Sequence, residues 1–597
     1  MATIEKNRDA HRGEDYTQDG SVDLKGKPVL RSETGTWKAC YFIIGYEILE
    51  RMAFHGIQSN LVSYLTRKLL EGTVTSANNV TNWSGTVWIT PILGAYIADA
   101  YLGRYWTFVS ASATYLLVNF PGMCLLTLSV SVPALKPPPC SSKEEGCAKA
   151  SNFQVGVFYC ALYIIALAAG GTKPIISTIG ADQFDNFEPK EKNQKLSFFN
   201  WWMIGIVIGI LISYTFLVYI QDNVGFSLGY GIPTVALAIA VLVFLIGTPL
   251  YRHKVASGSP LTKIAQVLVA AAKKARVPIP NDPKELYELS SEEYSNNRKL
   301  RIDRTPSLRI SCRFLDKAAV KSGPNKPWNL CPVTQVEETK QMIKMIPVLL
   351  ATFIPSAYVA QVNTLFVKQG STMNRSIGPH FDVPPASLGV FITISMLIGL
   401  LVYDRWFVPT IRRYTKNPRG ITLMQRMGAG FLMHILVMVA ACLAERKRLS
   451  VARANGIFGK NQIVPITIFF LLPQFILMGI AEAFIEVALL EFFYDQAPEA
   501  MKSIGASYYT SSKGVGYFLS TFLLTTVSNI TKKHGHRGWI LDNLNISHID
   551  YFYAFLVVLS ILNFIFFILV SKLFIYNAEF ENPKMDLALE TLPDNEE

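Results

Sequence analysis

Charged residues are scarce in this chain of 597 residues, since Asp, Glu, Lys and Arg make up only 17% of it. Typical soluble domains contain ~25%. The eight cysteines are scattered, without C-x-x-C or Cys/His ligand spacing, and the eight histidines are dispersed. Because no metal-ligand or nucleophile constellation appears, we expect neither an enzyme nor a bound metal or other cofactor. Cys140 and Cys147 share one polar loop and can form a disulfide if that loop lies outside the cytosol.

Apolar sequence takes the place of charge: 50% of the residues are hydrophobic, and the mean hydropathy is +0.27. Runs of about 20 apolar residues, long enough to cross a bilayer, recur in two groups of six. They lie around 40–62, 80–102, 106–132, 153–178, 198–220, 228–250, 342–367, 386–411, 422–444, 464–494, 503–529 and 551–576. We therefore predict an all-α polytopic membrane protein with twelve transmembrane helices in two six-helix halves.

This pattern divides the chain into two bundles, a linker and two tails. We predict a cytoplasmic N-terminal tail over 1–36, a bundle over 37–251, a cytoplasmic linker over 252–340, a second bundle over 341–577 and a cytoplasmic C-terminal tail over 578–597. In the linker, residues 260–276 combine helical apolar spacing with basic side chains, which predicts an amphipathic helix on the inner leaflet. The net charge of +12 lies largely in this linker and in short loops, so it indicates anionic lipid and not nucleic acid.

The first residues carry no signal peptide, so we expect the first apolar helix to target the chain to the membrane. The basic loop after the eighth run, with Arg412 and Arg413, favours cytoplasmic termini. Arg446, Lys447 and Arg448 argue the other way, because they fall on the predicted outer side. The plasma membrane and the vacuolar membrane both remain open.

Three ionisable residues, Glu47, Glu50 and Arg51, interrupt the first apolar run. Each costs roughly 2.5–3.5 kcal/mol at hydrocarbon depth on insertion scales. Their i, i+3 and i, i+4 spacing places all three on one face of a helix. A cation flanked by two carboxylates inside a bundle can exchange a proton for a salt bridge, which predicts a proton-coupled transporter. The alternative is a static ion-pair cluster that holds two helices together.

Each half also carries an Asp at a helix end, followed by basic residues in a short loop. Asp99 and Arg104 close the second run, and Asp404 closes the eighth. Such a pairing can latch a helix to its neighbour on the cytoplasmic side in one conformation, and its recurrence indicates a parallel repeat. Arg104 also precedes Thr107 by three positions, which predicts a kinase site in the loop between the second and third helices.

Longer motifs run through both halves. They are E-x-x-E-R at 47–51, G-A-D-Q-F at 180–184, S-F-F-N-W at 197–201 and L-E-F-F-Y-D-Q-A-P at 490–498. With them the chain resembles the plant nitrate/peptide transporter family, the plant branch of the proton-coupled oligopeptide transporters in the major facilitator superfamily. The resemblance implies the fold of that superfamily, alternating access, and proton-driven uptake of nitrate, small peptides or other, mostly anionic, small molecules.

The resemblance also implies residue roles. It assigns proton coupling to Glu47, Glu50 and Arg51. It places the family's fourth-helix lysine at Lys173 and the substrate-side carboxylate of the tenth helix at Glu482. Lys173 can then hold a carboxylate, and against Glu482 it would link the halves when the pathway is closed to one side. The alternative for Lys173 is a side chain that reaches the membrane interface.

Several positions depart from the family pattern. His55 stands where peptide-handling members carry Tyr, and either shares the proton of the first cluster or packs as an ordinary histidine. Val359 stands at the nitrate-linked histidine. Peptide binding therefore loses a tyrosine contact, and nitrate binding loses its histidine. We expect an organic anion or a small peptide as the substrate, with nitrate less favoured. A low-affinity nitrate or plant-hormone transporter and a transporter-fold sensor or receptor are the alternatives.

Two further charges are not explained by the family pattern. Glu486 lies one turn after Glu482, and Lys513 interrupts the eleventh run. An unpaired ammonium there would be costly, so we expect Glu486 or Glu482 as its partner. The pair is either structural or shapes the pocket for an anionic substrate. The expected partners of the protein are a small-molecule or small-peptide substrate, protons, membrane lipid and a kinase.

Overall fold

Helices dominate the computed structural model. It describes residues 16–17, 21–23, 25–97, 118–136, 150–185, 188–253, 260–280, 282, 285–289, 313–322, 326–379, 381–417, 419–460, 462–498, 501–533 and 537–574. Within some helices it describes the backbone alone, and Lys173 is one such position. Asp99, Arg104, Thr107, Cys140 and Cys147 lie outside the described residues, so the predictions made on them stay predictions.

The N-terminal half is built from consecutive helices. They are α1 (Thr36–Gln58), α2 (Leu61–Arg67), α3 (Thr73–Ile97), α4 (Phe120–Ser131), α5 (Asn152–Asp182), α6 (Pro189–Ile212), α7 (Val218–Asn223) and α8 (Phe226–Gly247). A π-helical turn, Ser213–Leu217, joins α6 to α7 in one continuous span, and a short 3₁₀ turn, Thr248–Leu250, follows α8. Helix α1 packs against α6 and α8, and α3 packs against α5.

The linker and the C-terminal half follow. Their helices are α9 (Pro260–Lys273), α10 (Val333–Lys344), α11 (Ile346–Val362), α12 (Leu365–Gly370), α13 (Gly389–Val402), α14 (Val408–Thr415), α15 (Leu423–Ala454), α16 (Leu472–Gln496), α17 (Lys502–Thr531) and α18 (Ile549–Leu573). The 3₁₀ turns are Arg313–Ala319, Pro385–Leu388, Ile468–Leu471 and Leu544–Ile546, and the π-helical turn Tyr403–Phe407 joins α13 to α14. Asp404 is exposed in that turn, and its predicted latch role stays a prediction.

The described part of the chain also contains four short strands. They are β1 (Met373–Asn374), β2 (Ser376–Ile377), β3 (Phe381–Asp382) and β4 (Val464–Thr467). β1 pairs with β4 in parallel, and β2 pairs with β3 antiparallel. Both small sheets belong to the C-terminal half, at the end of the bundle where α1 ends and α3 begins, which we call the distal end.

Every apolar run predicted from the sequence contains a helix. Among the described residues, eight helical stretches are long and apolar enough to cross a membrane by length and composition. The predicted first, second, third and eleventh spans are not among the eight. The first is α1, which contains Glu47, Glu50 and Arg51, and the eleventh is α17, which contains Lys513. Site residues thus lie both in spans outside the eight, α1 and α17, and in α16, which carries Glu482 and Glu486 and is among the eight.

The two halves meet most closely where α3 of the first half contacts α17 of the second. Gly85 and Gly514 face each other there: a Cβ atom on Gly85 would lie 3.1 Å from the carbonyl oxygen of Gly514, and one on Gly514 would lie 2.4 Å from Ile89. Small residues at such a crossing let two membrane helices approach until their backbones touch. This contact brings side chains of both halves into one central region.

The amphipathic linker helix predicted from the sequence is present as α9, and protein covers part of its apolar face. Its buried residues Val267, Ala270 and Ala271 belong to a protein core shared with the 3₁₀ turn Arg313–Ala319 and with α10. Other apolar residues of the helix, Leu268 and Val269, are exposed, so the prediction that it lies on the inner leaflet stays a prediction. Amphipathic spacing shows that one face is covered, but it does not show whether lipid or protein covers it.

Candidate functional site

The first charged cluster lies in the middle of α1. Arg51 Nε is 2.7 Å from Glu47 Oε1 and 3.5 Å from Glu50 Oε2, so the guanidinium serves two carboxylates. Glu47 and Glu50 are buried, with 2% and 6% of their surface exposed. The predicted common face of the three residues is confirmed. We call Glu47, Glu50 and Arg51 the Arg51 cluster.

A glycine of the neighbouring helix helps to bury the Arg51 cluster. A Cβ atom on Gly209 of α6 would lie 2.5 Å from the carbonyl oxygen of Ile48 and 2.9 Å from Arg51 Cβ. Only a residue without a side chain allows α6 to approach α1 this closely. The cluster is therefore held away from solvent by helix packing, in surroundings where the charge of a carboxylate depends strongly on its cation.

The second charged cluster lies between α16 and α17 in the other half. Lys513 Nζ is 2.6 Å from Glu486 Oε1 and 3.9 Å from Glu482 Oε2, so the partner expected from the sequence is present. Tyr509 donates a hydrogen bond to Glu486 Oε2. On the other side, His434 Nε2 of α15 is 3.5 Å from Glu482 Oε1. We call Glu482, Glu486 and Lys513 the Lys513 cluster.

A small cavity of about 10 Å³ adjoins the Lys513 cluster, which is room for about one water molecule. It is lined by Thr352, Pro355, Ser356, Val359, His434, Glu482, Ile485, Glu486, Leu489, Lys513 and Tyr517. Val359 therefore lies in the same pocket as both carboxylates and the ammonium. The pocket combines an apolar wall with a few charged groups, and in this conformation it has room for a water molecule and not for a larger solute.

Residues of the N-terminal half reach the Lys513 cluster. The ammonium of Lys513 lies 5.2 Å from the ring centroid of Trp88 on α3, and the ring of Trp88 meets that of Tyr509 edge-on at 6.5 Å. Gln58 Nε2 of α1 is 3.4 Å from Tyr517 Oη, which lines the cavity. The cluster is thus part of the interface between the halves, where alternating access would require movement.

Other predicted site residues lie elsewhere or cannot be placed. His55 is half-buried, and its ring contacts Phe54 and Tyr214 with centroid distances of 5.2 and 6.3 Å. These contacts fit the packing alternative, and a share in proton transfer stays a prediction. Lys173 lies on α5, but its side chain is outside the described part, so its pairing with Glu482 stays a prediction too.

Two residues of the site were missed in the sequence analysis. His434 interrupts the ninth apolar run, and that interruption was a usable signal, but the histidines were judged only by their spacing along the chain. Trp88 gave no signal of its own, because an aromatic residue in a membrane helix is common. Its position over Lys513 depends on how α3 crosses α17.

The distal end holds further contacts between the halves. Thr81 Oγ1 and Thr521 Oγ1 are 2.6 Å apart, and Asn78 Nδ2 donates to Thr525 Oγ1 at 2.8 Å. Asp222, at the end of α7, lies 3.5 Å from Arg67 and 3.9 Å from Arg375, and Arg375 belongs to the C-terminal half. These contacts close the distal end between the two bundles.

Solved structures show what kind of protein this fold defines. An auto-inhibited POT family peptide transporter matches with a TM-score of 0.65 at 18% identity, over 90% of this chain and 98% of that one. The POT family transporter PepTSo matches with a TM-score of 0.63 at 21% identity, over 89% and 97%. The chain has the helical fold of these two proteins, so the predicted fold class is confirmed.

Sequence comparisons identify the family. A family model described as the POT family (PTR2) matches residues 105–540. Protein NRT1/PTR FAMILY 5.2 of Arabidopsis thaliana is 58% identical over 569 residues, 95% of this chain and 96% of that protein. Protein NRT1/PTR FAMILY 5.1 of the same plant is 52% identical over 566 residues, 94% of each. The chain belongs to the POT family, in its NRT1/PTR branch, a family of transporters and not of enzymes.

Proposed function

We propose that this transporter is a proton-coupled symporter that carries small peptides or other small, mostly anionic solutes by alternating access. The observation that carries the proposal is the Arg51 cluster, in which one guanidinium is shared by two buried carboxylates. Arg51 remains charged throughout, so the cluster has one negative charge in excess when both carboxylates are ionised. A single proton on Glu47 or Glu50 removes that excess.

Proton binding would also change what Arg51 can contact. When one carboxylate is protonated, its attraction to the guanidinium weakens, and part of the five-donor fork becomes available to another anion. Arg51 then alternates between its own carboxylates and a carboxylate of the substrate. The transported proton and the transported anion therefore promote each other's binding, which is the requirement for symport.

The substrate side of the proposal rests on the pocket in the C-terminal half. Lys513 supplies a cation there, and Lys173 of α5 is proposed as a second one. Val359 supplies an apolar wall at the position of the family's nitrate-linked histidine. We therefore rank an organic anion or a small peptide above nitrate, because a carboxylate can dock on an ammonium while the rest of the molecule contacts the apolar wall.

The orientation and the membrane belong to the proposal as well. We place both termini in the cytoplasm, in the plasma or the vacuolar membrane. One residue that argued against this orientation has an internal role: Arg448 is fully buried and lies 2.6 Å from Glu445 Oε1. Its charge is balanced inside the protein, so it does not count as a free basic residue of an outer loop.

Uptake at acidic and neutral external pH tests the proposed function. Oocytes expressing the chain are given radiolabelled dialanine, nitrate and a monocarboxylic acid in separate experiments. Acid should stimulate uptake of dialanine or the organic acid, and Glu50→Gln should abolish that stimulation while surface expression persists. The matched control is Glu71→Gln, a half-buried carboxylate of the same half that accepts from Tyr159 at 2.7 Å. Undiminished acid stimulation in Glu50→Gln, or robust nitrate uptake alone, would overturn the proposal.

A further inference from the structure

We infer that the Lys513 cluster is a second proton-binding site, whose carboxylates Glu482 and Glu486 share one proton that favours the docking of a substrate anion on Lys513. The inference rests on the proposed symport and assigns a role to charges that the family pattern leaves unexplained. Its ligands are a proton and the carboxylate of a small anion.

Among the described side chains, the charges around Glu486 come from three helices and leave a negative excess in any state in which Lys173 of α5 is not paired with Glu482. Helix α16 contributes Glu482 and Glu486 itself, and α17 contributes Lys513 together with the phenols of Tyr509 and Tyr517. Helix α15 contributes His434. With the histidine and phenols neutral, two carboxylates face one ammonium among these groups. Uptake of one proton makes the cluster neutral. The surroundings favour this uptake, because they penalise an uncompensated charge strongly.

The two carboxylates act as one site because of their positions. Glu482 and Glu486 are i and i+4 on α16 and therefore project from the same face. Both lie within 4 Å of the same ammonium, at 3.9 and 2.6 Å. Groups coupled this closely lose and gain protons as a pair, and the bound proton belongs to the pair and not to one residue.

Competition for Lys513 links this proton to the substrate. In the structure Glu486 occupies the ammonium at 2.6 Å. A substrate carboxylate that docks on Lys513 must take over part of that contact, which leaves Glu486 facing a second anion. A proton on the Glu482–Glu486 pair removes the repulsion. Anion binding and proton binding at this site are therefore cooperative, as at the Arg51 cluster.

Trp88 gives the second site a connection to the opposite half. Its ring, at 5.2 Å from Lys513 Nζ, belongs to α3, while the rest of the Lys513 cluster belongs to α16 and α17. A movement of the two halves against each other changes the cation–π contact. It thereby changes how strongly Lys513 is held by its present neighbours and how readily it accepts an anion.

Infrared difference spectroscopy of the purified full-length protein in lipid nanodiscs tests the inference without any substrate. Acidification should produce a carboxylic-acid C=O stretching band from the Lys513 cluster. Glu486→Gln should remove this band, and Glu482→Gln should remove it too. Each variant leaves one carboxylate beside the Lys513 ammonium, and this neutral pair has no need of a proton. In Lys513→Met the carboxylic-acid band should persist to more alkaline pH, because two carboxylates without a cation hold a proton more tightly. Glu491→Gln, on the same helix but paired with Arg419 at 3.0 Å, is the matched control and should leave it unchanged.

Two results would overturn the inference: a band that is the same in wild type, Glu482→Gln and Glu486→Gln, or proton uptake that disappears only in His434→Gln. Thermal unfolding of each variant shows whether it is folded when the spectrum is taken. Since no substrate is added, a failure of every substrate in the uptake panel leaves this measurement intact. Conversely, loss of acid stimulation in Glu50→Gln without any band from the second cluster would support the proposed symport and reject the second site.

Discussion

The Arg51 cluster and the Lys513 cluster contain the same charges, two carboxylates and one cation, but they are assembled differently. Arg51 lies on the same helix as Glu47 and Glu50, so α1 alone sets their spacing. Lys513 lies on α17 and its carboxylates on α16, so helix packing sets the distances. The Lys513 cluster also contacts the other half directly, since Lys513 lies 5.2 Å from the Trp88 ring.

The difference between the cations has a functional consequence. Arg51 carries a delocalised charge that persists at any physiological pH, and its planar fork can serve two carboxylates at once. Lys513 carries a compact ammonium on a flexible stem, which is more easily transferred from one anion to another. We therefore propose that proton and anion are coupled at both clusters, and that helix movement acts in addition on the Lys513 cluster. Tyr509 belongs to the second cluster, because it donates a hydrogen bond to Glu486.

The largest expected effect comes from removing a cation. Lys513→Met leaves Glu482 and Glu486 buried without their ammonium, and breaking a buried ion pair from one side costs about 3–5 kcal/mol. Arg51→Met should lower the free energy of unfolding by a similar amount, although α1 still holds Glu47 and Glu50 at their spacing. Thermal unfolding in detergent and uptake measure both effects. The control is Lys513→Met combined with Glu486→Gln, which should regain most of the lost stability. If the double variant is as unstable as the single one, packing and not charge explains the loss.

A medium effect is expected at the contact between the halves. Trp88→Ala removes the aromatic face over Lys513, and a desolvated cation–π contact contributes about 2 kcal/mol. Trp88→Phe keeps a smaller aromatic face and should retain part of this cation–π stabilisation. The measurement is the apparent affinity for dialanine, which should change because Lys513 becomes easier to engage. Identical affinities in all three proteins would show that Trp88 only fills space.

The sequence predicted those parts of the site that depend on one helix, and missed those that depend on several. Glu47, Glu50 and Arg51 were placed on a common face because helical spacing is local. Lys513 was expected to have a carboxylate partner because an unpaired charge in a membrane is costly. The positions of His434 and Trp88, and the protein cover over α9, follow from helices that are distant in the chain. Periodicity carries no information about such crossings.

The smallest expected effect lies at the distal end. Asp222 pairs with Arg67 and Arg375, and burial together with the nearby charge of Arg67 lowers the pKa of Arg375, while Asp222 acts in the opposite direction. Because Arg67 is 39% exposed at its side chain, water screens this cluster and we expect Asp222→Asn to cost about 0.5–1 kcal/mol. Faster thiol labelling of a cysteine placed at Ser63, which is buried on α2, would report weaker closure. The control is Asp495→Asn, which removes the α16 carboxylate that pairs with Arg419. Equal labelling rates in both variants would show that Asp222 does not help to close the distal end.

We propose that each half of the transporter binds one proton. The most direct test counts the protons taken up by the purified protein when it is brought from alkaline to acidic pH. Glu50→Gln and Glu486→Gln should each take up one proton fewer than wild type, and the double variant should take up two fewer. If Glu486→Gln takes up as many protons as wild type, or if the double variant loses no more than Glu50→Gln alone, the Lys513 cluster is a static ion pair and the account is wrong.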